Sequence, residues 1–283
     1  MTDSPAASTE VLAHQVDAEG VEPLLLLNGG MMSLAAWEPV AAPLRAVRAE
    51  GGGQRYRLIG CDFRGQLRSP GTAPERLDEH AADIAALLHH LDLGPVHVVG
   101  ASFGGLVGVE LAARHPELVR LLIVATAAIR ADAAMDAGTD RMIALVRDTL
   151  AGGDAGRVHD LIAEQFFTPA WRNAHAAGLA ARRAQVASLP LAWFAGLLGI
   201  LAAVRGFDVS AAASLVRCPA LVVIAAADNV MRPDPCHELA RALHADVVEH
   251  RTAGHALVAE HPDWLAGACA DFLAAPRAAA TSR

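Results

Sequence analysis

Apolar residues along this chain come in two rhythms. Short, mostly apolar runs at Leu24–Leu27, Val96–Val99, Leu118–Val124 and Leu221–Ala225 have the length and content of strands buried on both faces. Longer stretches at Trp37–Arg48, Glu75–Leu91, Phe103–Arg114, Asp234–Leu243 and Asp263–Leu273 repeat apolar residues at helical spacing, as Leu77, Ile84, Leu87, Leu88 and Leu91 do. Arg55–Cys61 and Val247–His250 add two further strands. Val11–Val16 reads as an edge strand closed by an Asp17-Ala18-Glu19-Gly20 turn. Alternating strands and helices predict an α/β fold: a mostly parallel central sheet with helices on both faces. Residues 1–10 and 276–283 read as tails.

The alternation stops between 129 and 214. That span offers no good strand; it is alanine-rich, helical in character and broken by Gly152-Gly153, Pro169, Pro190 and Gly206. It is expected to form a helical cap on a core made of 1–128 and 215–283. Five of the chain's few aromatics fall in it: Phe166, Phe167, Trp171, Trp193 and Phe194. They either line a substrate pocket or pack the cap onto the sheet, since one cap face must do both.

Composition narrows the partners. The chain has 283 residues, 53% of them hydrophobic, and a formal net charge of −8. Mean hydropathy is +0.31. No basic stripe exists for nucleic acid or an anionic membrane. No apolar run reaches membrane-spanning length, and the polar start lacks a signal-peptide pattern, so a cytoplasmic location is expected. The four cysteines, Cys61, Cys218, Cys236 and Cys269, show neither C-x-x-C nor zinc-finger spacing, so no metal is expected. A small apolar molecule is the expected partner, and the protein a monomer or homodimer.

One stretch carries chemistry. Gly100-Ala101-Ser102-Phe103-Gly104 is a G-x-S-x-G pattern with a strand before it and a helix after it. So sharp a turn strains its central residue, and glycines two before and two after keep side chains from colliding. Ser102 would then stand at a helix N-terminus, where free N–H groups favour a developing oxyanion. A serine hydroxyl is a weak nucleophile; it needs a base, and the base needs an orienting acid. In open α/β sheets the site lies beyond the carboxyl ends of the strands. Asp228 and His255 follow the last two strands directly, in the order Ser, Asp, His. Asp208 is an alternative acid, while Asp234 reads as a helix N-cap. His261 and the helical His237 and His244 read as surface groups, and His97 as a packed strand residue. The oxyanion hole is expected from the N–H of Phe103 and that of Gly30, with Met31 as the alternative to Gly30.

These residues resemble those of α/β-hydrolase-fold enzymes, in the cap-bearing branch that includes esterases, enol-lactonases and C–C bond hydrolases of meta-cleavage pathways. The resemblance rests on Asn28-Gly29-Gly30 with Trp37, Asp62 to Ser69, Gly100 to Gly105, Arg217-Cys218-Pro219, Asp228, Gly254-His255 and Glu260-His261-Pro262. It implies a helical cap inserted after the sixth strand and no cofactor. The family usually has histidine where this chain has Asn28, which is expected at the substrate pocket and whose amide could support the oxyanion loop. Leu67 replaces a glycine, and Pro233 stands five residues after Asp228 where the family has proline at four. Ser102 sets the chain apart from relatives with an aspartate nucleophile. The resemblance implies hydrolysis of an ester, lactone or thioester through an acyl-enzyme. Three alternatives stay open. The first is C–C hydrolysis of a vinylogous diketone, with Arg172, Arg182 or Arg183 as a pocket cation. The second is biosynthetic acyl transfer, cyclisation or editing, and the third a non-catalytic receptor.

Overall fold

A computed structural model describes residues 11–69 and 71–275; the two expected tails lie outside them. Seven strands form one sheet: β1 (His14–Val16), β2 (Glu22–Leu27), β3 (Tyr56–Cys61), β4 (Val96–Ala101), β5 (Val119–Ala125), β6 (Ala220–Ala225) and β7 (Asp246–His250). Their spatial order is β1-β3-β2-β4-β5-β6-β7. Only β1 is antiparallel, pairing with β3 at the edge. The helices between them are α1 (Glu38–Arg45), α2 (Leu77–Leu91), α3 (Phe103–Arg114), α4 (Ala133–Leu150), α5 (Gly156–Phe166), α6 (Pro169–Ala174), α7 (Ala176–Ala187), α8 (Leu191–Val204), α9 (Ser210–Ala213), α10 (Pro233–Leu243), α11 (Leu257–Glu260) and α12 (Pro262–Ala274).

The central strands are apolar throughout because both sheet faces are covered. Leu25 and Leu27 of β2, Val98 of β4 and Val222 and Ile224 of β6 enter one core with α2, α3 and α10. Their neighbours Leu24, Leu26, Val99, Leu221 and Val223 enter a second core with α1 and α12. The two-residue period of a strand divides each run between the two layers. The first predicted helix is shorter than Trp37–Arg48: a 3-10 turn over Leu34–Trp37 precedes it and Pro43 lies near its end.

Between β5 and β6 the chain carries helices only. They leave and rejoin the sheet layer through a short stem, where Ala131 N–H donates to Phe207 and Val209 N–H donates to Ile129. The resemblance implied a position after the sixth strand, but the helices follow β5. A single three-residue strand precedes β2, so one strand fewer stands on that side among the described residues. α8 docks against the loop after β3 at backbone distance. A Cβ on Gly196 would lie 2.0 Å from the Gly65 carbonyl oxygen, and one on Gly199 2.6 Å from that of Ala73.

Candidate active site

Ser102 caps β4, the central strand, and starts α3. Its φ of 51° and ψ of −118° lie in a strained region for a residue with a Cβ. The neighbours allow it. A Cβ on Gly100 would stand 2.3 Å from the Gly104 carbonyl oxygen, and one on Gly104 2.3 Å from that of Leu27. The turn therefore presses against β2 itself and holds the serine above the sheet edge.

Asp228 and His255 meet Ser102 there. The Ser102 hydroxyl donates to His255 Nε2 at 2.9 Å, and His255 Nδ1–H donates to Asp228 Oδ2 at 2.8 Å. This tautomer satisfies all three groups. The other carboxylate oxygen, Asp228 Oδ1, accepts from the N–H groups of Val230 and Met231 at 2.7 and 2.8 Å. Asp228 and His255 are buried. The arrangement lets the imidazole take the hydroxyl proton while the carboxylate holds the ring and faces its positive charge. Asp208 does not join it; its Oδ1 accepts from Ser210 N–H at the stem. Asp234 sits in the first turn of α10, and Arg232 holds the N-cap position expected of it.

Two residues given no role in the sequence reading support the surroundings of Ser102. Gln66 is 2% exposed and makes four bonds. Its Nε2 donates to the carbonyls of Gly29 and Gly30, both at 3.2 Å, and its Oε1 accepts from Phe63 N–H and Asn28 Nδ2. A trans peptide points its N–H away from its C=O. Gly29 and Gly30 carbonyls turned toward Gln66 therefore turn the Gly30 and Met31 N–H groups the other way. No described hydrogen bond engages the Gly30, Met31 or Phe103 N–H. His80, fully buried, donates to the Pro74 carbonyl and stands edge-on to Phe63 and Phe103, with ring centroids 5.6 and 4.9 Å apart. Gln66 stood inside the recognised Asp62 to Ser69 stretch, but as one polar loop residue among several, and His80 carried no signal beyond its helix.

Glu260 stood inside a recognised stretch, but its contacts were not legible. Buried, it accepts from Thr168 N–H at 2.6 Å and from Gly254 N–H at 2.8 Å. It thus clasps the loop carrying His255 to the end of α5. Ala256 N–H donates to the Phe166 carbonyl, and the Phe166 ring stands edge-on to His255 at 4.8 Å.

Above Ser102 lies a cavity of about 940 Å³. Ser102, His255, Gly30, Met31 and Phe103 line it from below; Phe166, Phe167, Trp171 and Trp193 line it from the helices between β5 and β6. Two residues expected there are elsewhere. Phe194 follows Trp193 by one position, about 100° round the helix, and is fully buried in the core. Asn28 is fully buried too, its Nδ2 spent on the Cys61 carbonyl, Asp62 and Gln66 beneath the loop. Of the three candidate arginines only Arg182 reaches the cavity; Arg183 pairs with Asp154 and Asp160.

Other chemistry is sparse. Among the described residues no group of three or more His, Cys, Asp or Glu is placed to hold a metal. All four cysteines are free, and burial pushes the Cys61 and Cys269 thiols up to about 12. No single described helix is long and apolar enough to cross a membrane.

Comparison with known proteins places this architecture. Residues 22–157 match the family described as "alpha/beta hydrolase fold". A Caulobacter segnis protein named "Putative carbamate hydrolase RutD" is 30% identical over 260 residues, 88% of this chain and 90% of that one. A hydrolase from Pseudomonas aeruginosa PA01 superposes with a TM-score of 0.78 at 27% identity, over 93% of this chain and 94% of that one. The enol-lactonase of Burkholderia xenovorans LB400 superposes with a TM-score of 0.79 over 93% and 96%, at 23% identity.

Proposed function

The chain belongs to the α/β-hydrolase superfamily and is a hydrolase, and on that premise we propose that it is a serine hydrolase of apolar esters, lactones or thioesters. The observation that carries this is the unbroken chain of bonds from Asp228 through His255 to Ser102. His255 takes the Ser102 proton as the oxygen attacks the carbonyl, then gives it to the leaving group. Asp228 holds the imidazole and stabilises its charged form. The N–H groups of Phe103 and Gly30, with Met31 as the alternative, receive the oxyanion, each donor being worth roughly 2.7–4 kcal/mol where one has been removed elsewhere. Water then releases the acyl group from Ser102. Residues 129–214 serve as a cap whose aromatics bound the substrate space.

C–C hydrolysis of a vinylogous diketone is the second reading, and Arg182 at the cavity wall is the observation that favours it. A substrate panel separates the two. Turnover of p-nitrophenyl esters with a pre-steady-state burst, lost in Ser102→Ala, supports the acyl-enzyme. Cleavage of diketones alone, without a burst on esters, supports the second reading.

A further inference from the structure

All five described methionines, Met31, Met32, Met135, Met142 and Met231, line the cavity above Ser102. They come from three separate segments: the loop after β2, α4, and the loop after β6. Chain proximity does not explain their meeting. Methionine is unbranched and polarisable, and it adapts to flexible apolar ligands. The facing wall is α8, which carries no charged residue. Its lining positions, Trp193, Leu197, Ile200, Leu201 and Val204, fall on one helical face.

This face measures the site. Ile200 stands at the reacting end: a Cβ added to Gly30 would lie 2.9 Å from Ile200 Cγ2. From Ile200 back to Trp193 the helix rises about 10 Å at 1.5 Å per residue. A staggered alkyl chain advances roughly 1.25 Å per bond, so about eight bonds span that arm. The cavity of about 940 Å³ holds about thirty times a water's share of liquid volume. A carbamate, with its handful of heavy atoms, would leave such a space mostly unfilled and give methionines nothing to enclose.

We infer that the substrate carries a flexible aliphatic acyl chain of about eight to ten carbons, laid along the α8 face from Ile200 toward Trp193. This rests on the reading of Ser102 as the residue acylated. The α8 lining positions are all apolar, and the charged lining groups Arg141, Glu164 and Arg182 come from α4, α5 and α7.

The test is kcat/KM for p-nitrophenyl esters from acetate to palmitate, with phenyl carbamate alongside. The expected profile rises by up to about fourfold per methylene, peaks at octanoate to decanoate roughly a hundredfold above acetate, and falls at palmitate. Leu197→Trp, which fills the arm midway, should move the optimum to butanoate or shorter. Should that variant fail to fold, binding of straight-chain alkyl trifluoromethyl ketones to the wild-type protein must tighten with length over the same range. A flat profile, or preference for acetate or phenyl carbamate with Ser102-dependent turnover intact, overturns the inference and leaves Ser102 standing. The expected profile persisting in Ser102→Ala would overturn the acyl-enzyme instead. No turnover of any ester and no ketone binding would overturn both.

Discussion

The Gln66 side chain donates to the Gly30 carbonyl at 3.2 Å, and so fixes which way the peptides on either side of Gly30 face. Because the same amide also holds Gly29, the loop cannot rotate one peptide without losing a bond to a buried partner. Gln66 is thus a positioning residue for the proposed oxyanion hole, which it does not itself line. Gln66→Leu should lower kcat for ester hydrolysis by about ten- to a hundredfold, less than losing a donor outright, with KM within about threefold. Gln66→Glu, which sets acceptors against two carbonyls, should lower kcat further. Equal kcat in all three proteins would remove Gln66 from the account.

Glu260 joins two segments that must stay in register, the end of α5 and the loop carrying His255. Glu260→Gln turns one of its two acceptors into a donor facing an N–H. A mispaired buried group of this kind costs about 1–3 kcal/mol. Urea unfolding should report that loss, and ester kinetics a fall in kcat. A variant that unfolds and turns over like the wild type would show that the clasp is not needed.

The approach of α8 to the sheet domain depends on a missing side chain. Gly196→Ala would set a methyl 2.0 Å from the Gly65 carbonyl oxygen, which only backbone movement can relieve, at about 1–3 kcal/mol. Tm should fall and KM should rise as the cavity wall shifts. Gly267, mid-helix in α12, has open space around it. Gly267→Ala should therefore stabilise by about 0.5–1 kcal/mol. The opposite signs, measured by calorimetry, separate packing from helix propensity.

Acid should loosen the floor beneath Phe103. Burial pushes the His80 imidazole down to about 4, with the bond to Pro74 working against it. In the unfolded chain the group titrates near 6.5. Between these values the unfolded state binds more protons, so stability falls as pH drops from about 6.5 toward 4. The contribution is full above that window, up to about 3 kcal/mol for a shift of this size. His97, buried and likewise pushed down to about 4, adds in the same direction. His80→Phe should flatten the slope of Tm against pH in this window; an unchanged slope would contradict the assignment.

The meeting of Ser102, Asp228 and His255 was legible because each follows a strand run directly, and a parallel sheet brings the carboxyl ends of its strands to one edge. The α8 helix was legible as helix but not as a docked one. Gly196 reads in sequence as a helix-weakening residue until Gly65 stands against it. Asn28 and Phe194 went astray for one reason: facing is set by tertiary register, which neither loop chemistry nor aromatic content encodes. Gln66 and Glu260 act through backbone groups of distant segments, and backbone partners leave no mark in sequence.

The proposed nucleophile, Ser102, admits the most direct measurement. Intact mass after treatment with a fluorophosphonate should show one adduct on the wild-type protein, mapped by peptide analysis to Ser102, and none on Ser102→Ala. His255→Ala should slow its formation by orders of magnitude while leaving the fold intact by circular dichroism. Absence of the adduct from a folded wild-type protein, or its persistence in Ser102→Ala, would contradict the claim that Ser102 is the residue that attacks.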